Sequence, residues 1–129
     1  MKSVFTVALL LALLTQGEAT AGEVIAHPSV SLSAEEIRDV FLGEKQLVGN
    51  LRLVPMDNSA IQSEFLARVL QTDVQKYTAR WTKKRFREGL APPIVRGSDA
   101  EVIAFVRSTP GAVGYVSKAA TDVKVLEKF

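Results

Sequence analysis

The stretch Met56-Asp57-Asn58-Ser59 carries the residue types in this chain best suited to holding a ligand. It is expected to join a strand (Leu51, Leu53 and Val54, closed by Pro55) to a helix whose apolar face is Ile61, Phe65, Leu66, Val69 and Leu70. Unpaired backbone N–H groups and the positive end of the helix dipole make such a junction an anion site where small residues let a ligand approach. Ligands of open α/β sheets also sit beyond the carboxyl ends of the strands. The competing reading is that Ser59, in the pattern S-x-x-Q with Gln62, only caps its own helix, since no Lys or Arg lies in the turn.

A second cluster is electrostatic. Lys76, Arg80, Lys83, Lys84, Arg85 and Arg87 fall within twelve consecutive residues that contain no acid, although the whole chain carries a net charge of only +2. Such an asymmetry sets up a local positive field for an acidic protein, a polyanion or a membrane surface. Tyr77 and Trp81, four residues apart among these cations, have the spacing of core anchors, so the competing reading is a solvated helix face. Lys76, Arg80, Lys83, Lys84 and Arg87 are the candidate interaction surface. Nucleic acid is not expected as a partner of an exported protein.

Other chemistries have no residues to perform them. The absence of cysteine excludes a thiol nucleophile, a disulfide framework and Cys-ligated metal sites. The single histidine, His27, stands beside Pro28 without a ligand or base at a useful spacing, so neither a metal site nor a catalytic residue is expected. Glu35, Glu36 and Asp39 lie in the first turns of a helix, where they favour the dipole. Neither a G-x-S-x-G elbow nor a phosphate-binding G-x-x-x-x-G-K-[ST] loop occurs, and no cofactor is implied.

The elements that position these residues alternate between strand and helix. Ser33 and Glu36 form a capping box before Ile37, Val40 and Phe41, with Gly43 as the stop. Thr72 with Gln75 precedes Val74, Tyr77 and Trp81; Ser98 with Glu101 precedes Val102, Ile103 and Val106. Short strands are expected at Glu23–Ala26, Ile94-Val95, Val113–Val116 and Val123–Leu126. This alternation predicts an α/β fold, a small mixed sheet flanked by about four helices.

Met1 and Lys2, the apolar run Val4–Leu14 and Ala19-Thr20-Ala21 follow the three-part plan of a secretory signal peptide. The run is short of the ~20 residues that a membrane-spanning helix needs. A leader at 1–21, a single domain at 22–129, a periplasmic location and no stable membrane insertion after cleavage are therefore expected.

Three segments in order resemble the periplasmic phosphate-binding proteins of ABC importers: Leu32-Ser33 through Phe41-Leu42-Gly43; Val54 through Ser59 with Phe65; and Val102 through Val116, which includes Thr109-Pro110-Gly111-Ala112-Val113-Gly114-Tyr115-Val116. The resemblance implies a single lobe of a type II periplasmic binding protein and a non-enzymatic module. It also implies phosphate or a similar anion as ligand, held by Asp57, Asn58, Ser59, Ala60 and Ile61. Full members of that family have two lobes, and in this turn carry an arginine followed by Asp-Gly-Ser-Gly-Thr. Here Asp57 and Ser59 keep their places, while Pro55 replaces the arginine, Asn58 and Ala60 the glycines, and Ile61 the threonine. A charged bidentate donor, close backbone approach and a hydroxyl are thereby lost. The alternative expectation is a periplasmic protein-interaction or sensory accessory domain that has lost its ligand, with an envelope protein or a second copy as partner.

Overall fold

Apolar residues on both faces of a strand require cover on both sides, and the central strands of this protein have that character. In the computed structural model, which describes residues 19–129, Val24, Ile25 and Ala26 of β1 (Glu23–Ala26) and every residue of β6 (Ala112–Val116) are buried. With β4 (Val54–Asn58), β5 (Ile94–Arg96) and β7 (Lys124–Lys128), they build a five-stranded sheet of order β5-β4-β6-β1-β7, against which α1 (Ala34–Phe41) and α4 (Asp99–Ser108) pack. β4 pairs in parallel with both β5 and β6, whereas β1 runs antiparallel to β6 and β7. The fold is the expected α/β arrangement with a mixed sheet. The expected leader lies outside the described residues except for its last three.

The two-residue period of the strands divides the core into two layers. Val24, Ala26, Val113 and Tyr115 face α1, α2 (Gln62–Phe65) with its wide π-type continuation Leu66–Leu70, and α3 (Val74–Glu88). Ile25, Met56, Ala112 and Val116 face Val102 and Val106 of α4. Gly114 lies beneath α4, where a Cβ would come within 2.7 Å of Val102 Cγ1. A separate hairpin, β2 (Leu47–Val48) with β3 (Leu51–Arg52), lies outside the main sheet.

Ser33 and Glu36 form the full reciprocal box of α1, and the Ser98 oxygen caps α4 by accepting from the Glu101 N–H. The other two expected caps are corrected. Ser59 spends both its N–H and its hydroxyl on the Arg96 carbonyl, leaving Ile61 as an N-cap without a side-chain bond. Asp73, not Thr72, caps α3 by accepting from the Lys76 N–H, because Gln71 turns left-handed (φ 54°) at the end of the wide helix and delays the new start.

Pro55 lies inside β4 and does not close it. The Val54 N–H bonds the Gly111 carbonyl on the β6 side. The proline nitrogen therefore faces the other way, where β5 begins only opposite Met56 and no ladder bond is lost.

Candidate functional site

Because β4, β5 and β6 are parallel, their carboxyl ends meet at one edge of the sheet, and the Asp57–Ile61 turn leaves from there. Asp57, the penultimate residue of β4, points inward and is only 2% exposed. Tyr77 from α3 donates its hydroxyl to Asp57 Oδ2 at 2.9 Å, and Tyr115 from β6 donates to Oδ1 at 2.8 Å. Burial raises the carboxyl to about 6, against the lowering effect of the two tyrosine bonds. Burial and the Asp57 charge in turn raise both phenols. Tyr115 is held by rings on three sides, stacked on Phe65 at 3.8 Å and edge-on to Phe41 and Phe129.

Asn58 is fully buried, and its amide is committed within the fold. Its Nδ2 donates to the Tyr115 carbonyl at 3.1 Å and to Asp99 Oδ1 at 3.0 Å, while its Oδ1 accepts from the Ala60 N–H at 3.1 Å. The Ser59 N–H goes to the Arg96 carbonyl at 2.8 Å, and the Ile61 N–H to the Asn58 carbonyl at 3.2 Å. The backbone N–H groups of Ser59, Ala60 and Ile61 are thus all bonded internally. The Ser59 side chain is exposed, and its hydroxyl makes a long 3.3 Å bond to Arg96. The structure therefore gathers the five turn residues at one strand end but leaves only the Ser59 hydroxyl accessible among their hydrogen-bond donors.

Several residues at this edge carry no signal in the sequence read by itself. Asp99, the first residue of α4, accepts from Asn58 Nδ2, from the Ser117 N–H and hydroxyl, and from the Lys118 N–H. Although partial burial opposes it, this donor set holds the Asp99 carboxyl below its ordinary value. Arg96, at the carboxyl end of β5, brings an exposed cation to the edge from which the Asp57–Ile61 turn leaves. What could have located these residues is topology: parallel neighbours end together, so the residues following β5 and β6 join the turn that follows β4.

A groove of about 330 Å³ lies between α3 and the segment entering β5. Asp57 and Gln62 line it together with Trp81, Arg85, Pro93 and Val95. The other five cations of α3 separate into two sets. Arg80 and Lys84 pair with Glu44, and Lys84 also with Glu88, whereas Lys76, Lys83 and Arg87 lie on the exposed side of the helix. Phe86, among them, is 88% exposed. His27 accepts the Ser29 N–H at Nδ1 and so stabilises its own loop. Among the described residues, no group of three His, Asp or Glu side chains is placed to hold a metal ion, and no helix is long and apolar enough to cross a membrane.

No protein-family model matches the chain, and no curated protein does. Solved structures do match. An ABC-type phosphate transport receptor from Vibrio cholerae superposes with a TM-score of 0.53 at 15% identity, over 84% of this chain and 46% of the receptor. A putative phosphate ABC transporter substrate-binding protein from Clostridium perfringens, with bound phosphate, gives 0.61 at 12% identity, over 84% and 44%. PstS from Borrelia burgdorferi gives 0.56 at 20% identity, over 84% and 47%. The chain spans less than half the length of each of these proteins, and it has the fold of one lobe of a phosphate-type substrate-binding protein.

Proposed function

We propose that the chain is a non-enzymatic, exported binding module that supplies one wall of a site for phosphate or a similar small anion. A second lobe, from a partner or a second copy, supplies the opposite wall. The observation that carries this reading is the convergence of β4, β5 and β6 at one edge, where the Ser59 hydroxyl and the Arg96 side chain are exposed beside a turn whose backbone donors are already spent. A small-molecule site buries most of its ligand. A single wall with one hydroxyl and one cation holds phosphate in the millimolar range, the affinity expected of about 4 kcal/mol of binding free energy. Transport of the bound anion requires the opposite wall. Calorimetric titration of phosphate into the domain at 22–129, at fixed ionic strength with sulfate as control, tests the reading. The expected result is no saturable heat below millimolar phosphate; saturation at micromolar concentration by a monomer overturns it.

One observation favours the second reading, an interaction or sensory accessory domain. Phe86 is exposed on α3 among Lys76, Lys83 and Arg87, the composition of a surface that fits an acidic patch on an envelope protein. Reversing Lys76, Lys83 and Arg87 to Glu is expected to abolish binding to such a partner and to leave the melting temperature within a few degrees of the parent. Capture of the same partner by parent and triple variant alike removes this face from consideration.

A further inference from the structure

We propose that this lobe contains a second oxyanion site, formed by Asn58 Nδ2, the Ser117 N–H and hydroxyl and the Lys118 N–H, and that the chain's own Asp99 carboxylate is its resident ligand. The inference rests on the proposed function only for the location of the site at the carboxyl edge of the sheet. Four separate donor groups from two strand ends converge on one carboxylate. Asn58 Nδ2 donates to Oδ1 at 3.0 Å; the Ser117 N–H lies 3.1 Å from each oxygen; the Ser117 hydroxyl donates to Oδ2, and the Lys118 N–H reaches Oδ2 at 3.4 Å. Bonds from neutral donors to an ionised acceptor are the strong class, and backbone amides with an amide side chain and a hydroxyl are the donor types that bind free carboxylates and oxyanions.

Asn58 and the two backbone amides are held by parts of the fold other than Asp99. Asn58 is fully buried, and its orientation is set by the Tyr115 carbonyl at one end and the Ala60 N–H at the other. The Ser117 and Lys118 amides follow directly on β6, whose five residues are all buried. Asp99 reaches them from a different element, the first turn of α4, where Ser98 supplies the cap through its own oxygen. Asp99 is therefore free of capping duty and serves as a tethered anion. Two consequences follow. The site cannot take a free anion while Asp99 is ionised and in place, and the α4 start is fastened to β4 and β6 through a contact that an external carboxylate can replace.

Removal of the carboxylate tests the inference. In Asp99→Ala the four donors lose their acceptor, and the hole left has the size of formate. The expected result is a melting temperature several degrees below the parent. About 100 mM formate should recover roughly 5 °C of it, against sodium chloride of equal ionic strength, while the parent gains nothing from formate. Amide resonances of Ser117, Lys118 and the Asn58 side chain should move on titration of the variant, half-saturating at roughly 10–50 mM, which lies in the affinity range of a few hydrogen bonds to one small anion. If Asp99→Ala does not fold in chloride, refolding yield in formate against chloride gives the same comparison. Asp99→Asn, which keeps the shape and removes the charge, should be destabilised and not rescued. Equal response of Asp99→Ala to formate and chloride overturns the inference, and so does an Asp99→Asn protein as stable as the parent. Phosphate titration of the parent domain reports on the proposed function, so the two readings fail separately.

Discussion

The family resemblance suggests an anion-site role for Asp57, yet its two oxygens are engaged by Tyr77 and Tyr115 and the residue is almost wholly buried. Its carboxyl titrates at about 6 in the fold against the usual 3.8. A group raised in the folded state opposes folding when ionised, so stability falls as pH rises from about 4 to above 6, by up to about 3 kcal/mol. Asp57→Asn is expected to flatten that slope in melting experiments between pH 4.5 and 7.5; an unchanged slope would show that Asp57 is not its source. Asp99 has the opposite sign, since its lowered value gives stability that is lost only as pH falls below the usual carboxylate range, which separates the two windows. Asn58→Ala leaves the Tyr115 carbonyl, the Ala60 N–H and Asp99 each short of a partner, and should cost about 2–4 kcal/mol in chemical denaturation. A loss under 0.5 kcal/mol would mean that water replaces the amide. From the sequence, Asp57 and Asn58 stand out as polar residues at a strand end. Their inward orientation depends on Tyr77, Tyr115 and Asp99, which lie 20 to 58 positions away along the chain.

At the scale of elements, local signals marked α1 and α4 because their caps act within four residues: Ser33 with Glu36, and Ser98 with Glu101. The same S-x-x-Q arithmetic misplaces Ser59, whose hydroxyl is drawn to Arg96 on the neighbouring strand, a long-range competitor that no local pattern contains. Strand β4 extends through Pro55 for a similar reason: only the late start of β5 makes a proline tolerable there. The hairpin of β2 and β3 is built from two-residue strands, too short for alternation to register. Close packing of α4 on β6 depends on Gly114. Gly114→Ala should destabilise by about 1–3 kcal/mol through the clash with Val102, and Val102→Ala in the same chain should recover part of that loss. Full additivity of the two losses in a double-mutant cycle would place the strain elsewhere.

For the whole molecule, the resemblance carried by the Phe41-Leu42-Gly43 and Thr109–Val116 segments led to the right fold class, since those segments form the end of α1 and the buried strand β6. The site was less legible because it belongs to an edge shared by three parallel strands, and Arg96, Asp99 and Ser117 join the Asp57–Ile61 turn only through strand order. That edge is also where the account differs most from an autonomous anion receptor, since the inward groups are spent while Ser59 and Arg96 face outward. The most direct measurement is a phosphate titration of the isotopically labelled protein, read residue by residue by NMR. The account predicts shifts centred on Ser59, Arg96 and Gly97 that grow into the millimolar range. Saturation at micromolar phosphate, or shifts centred on the groove along α3, would contradict it.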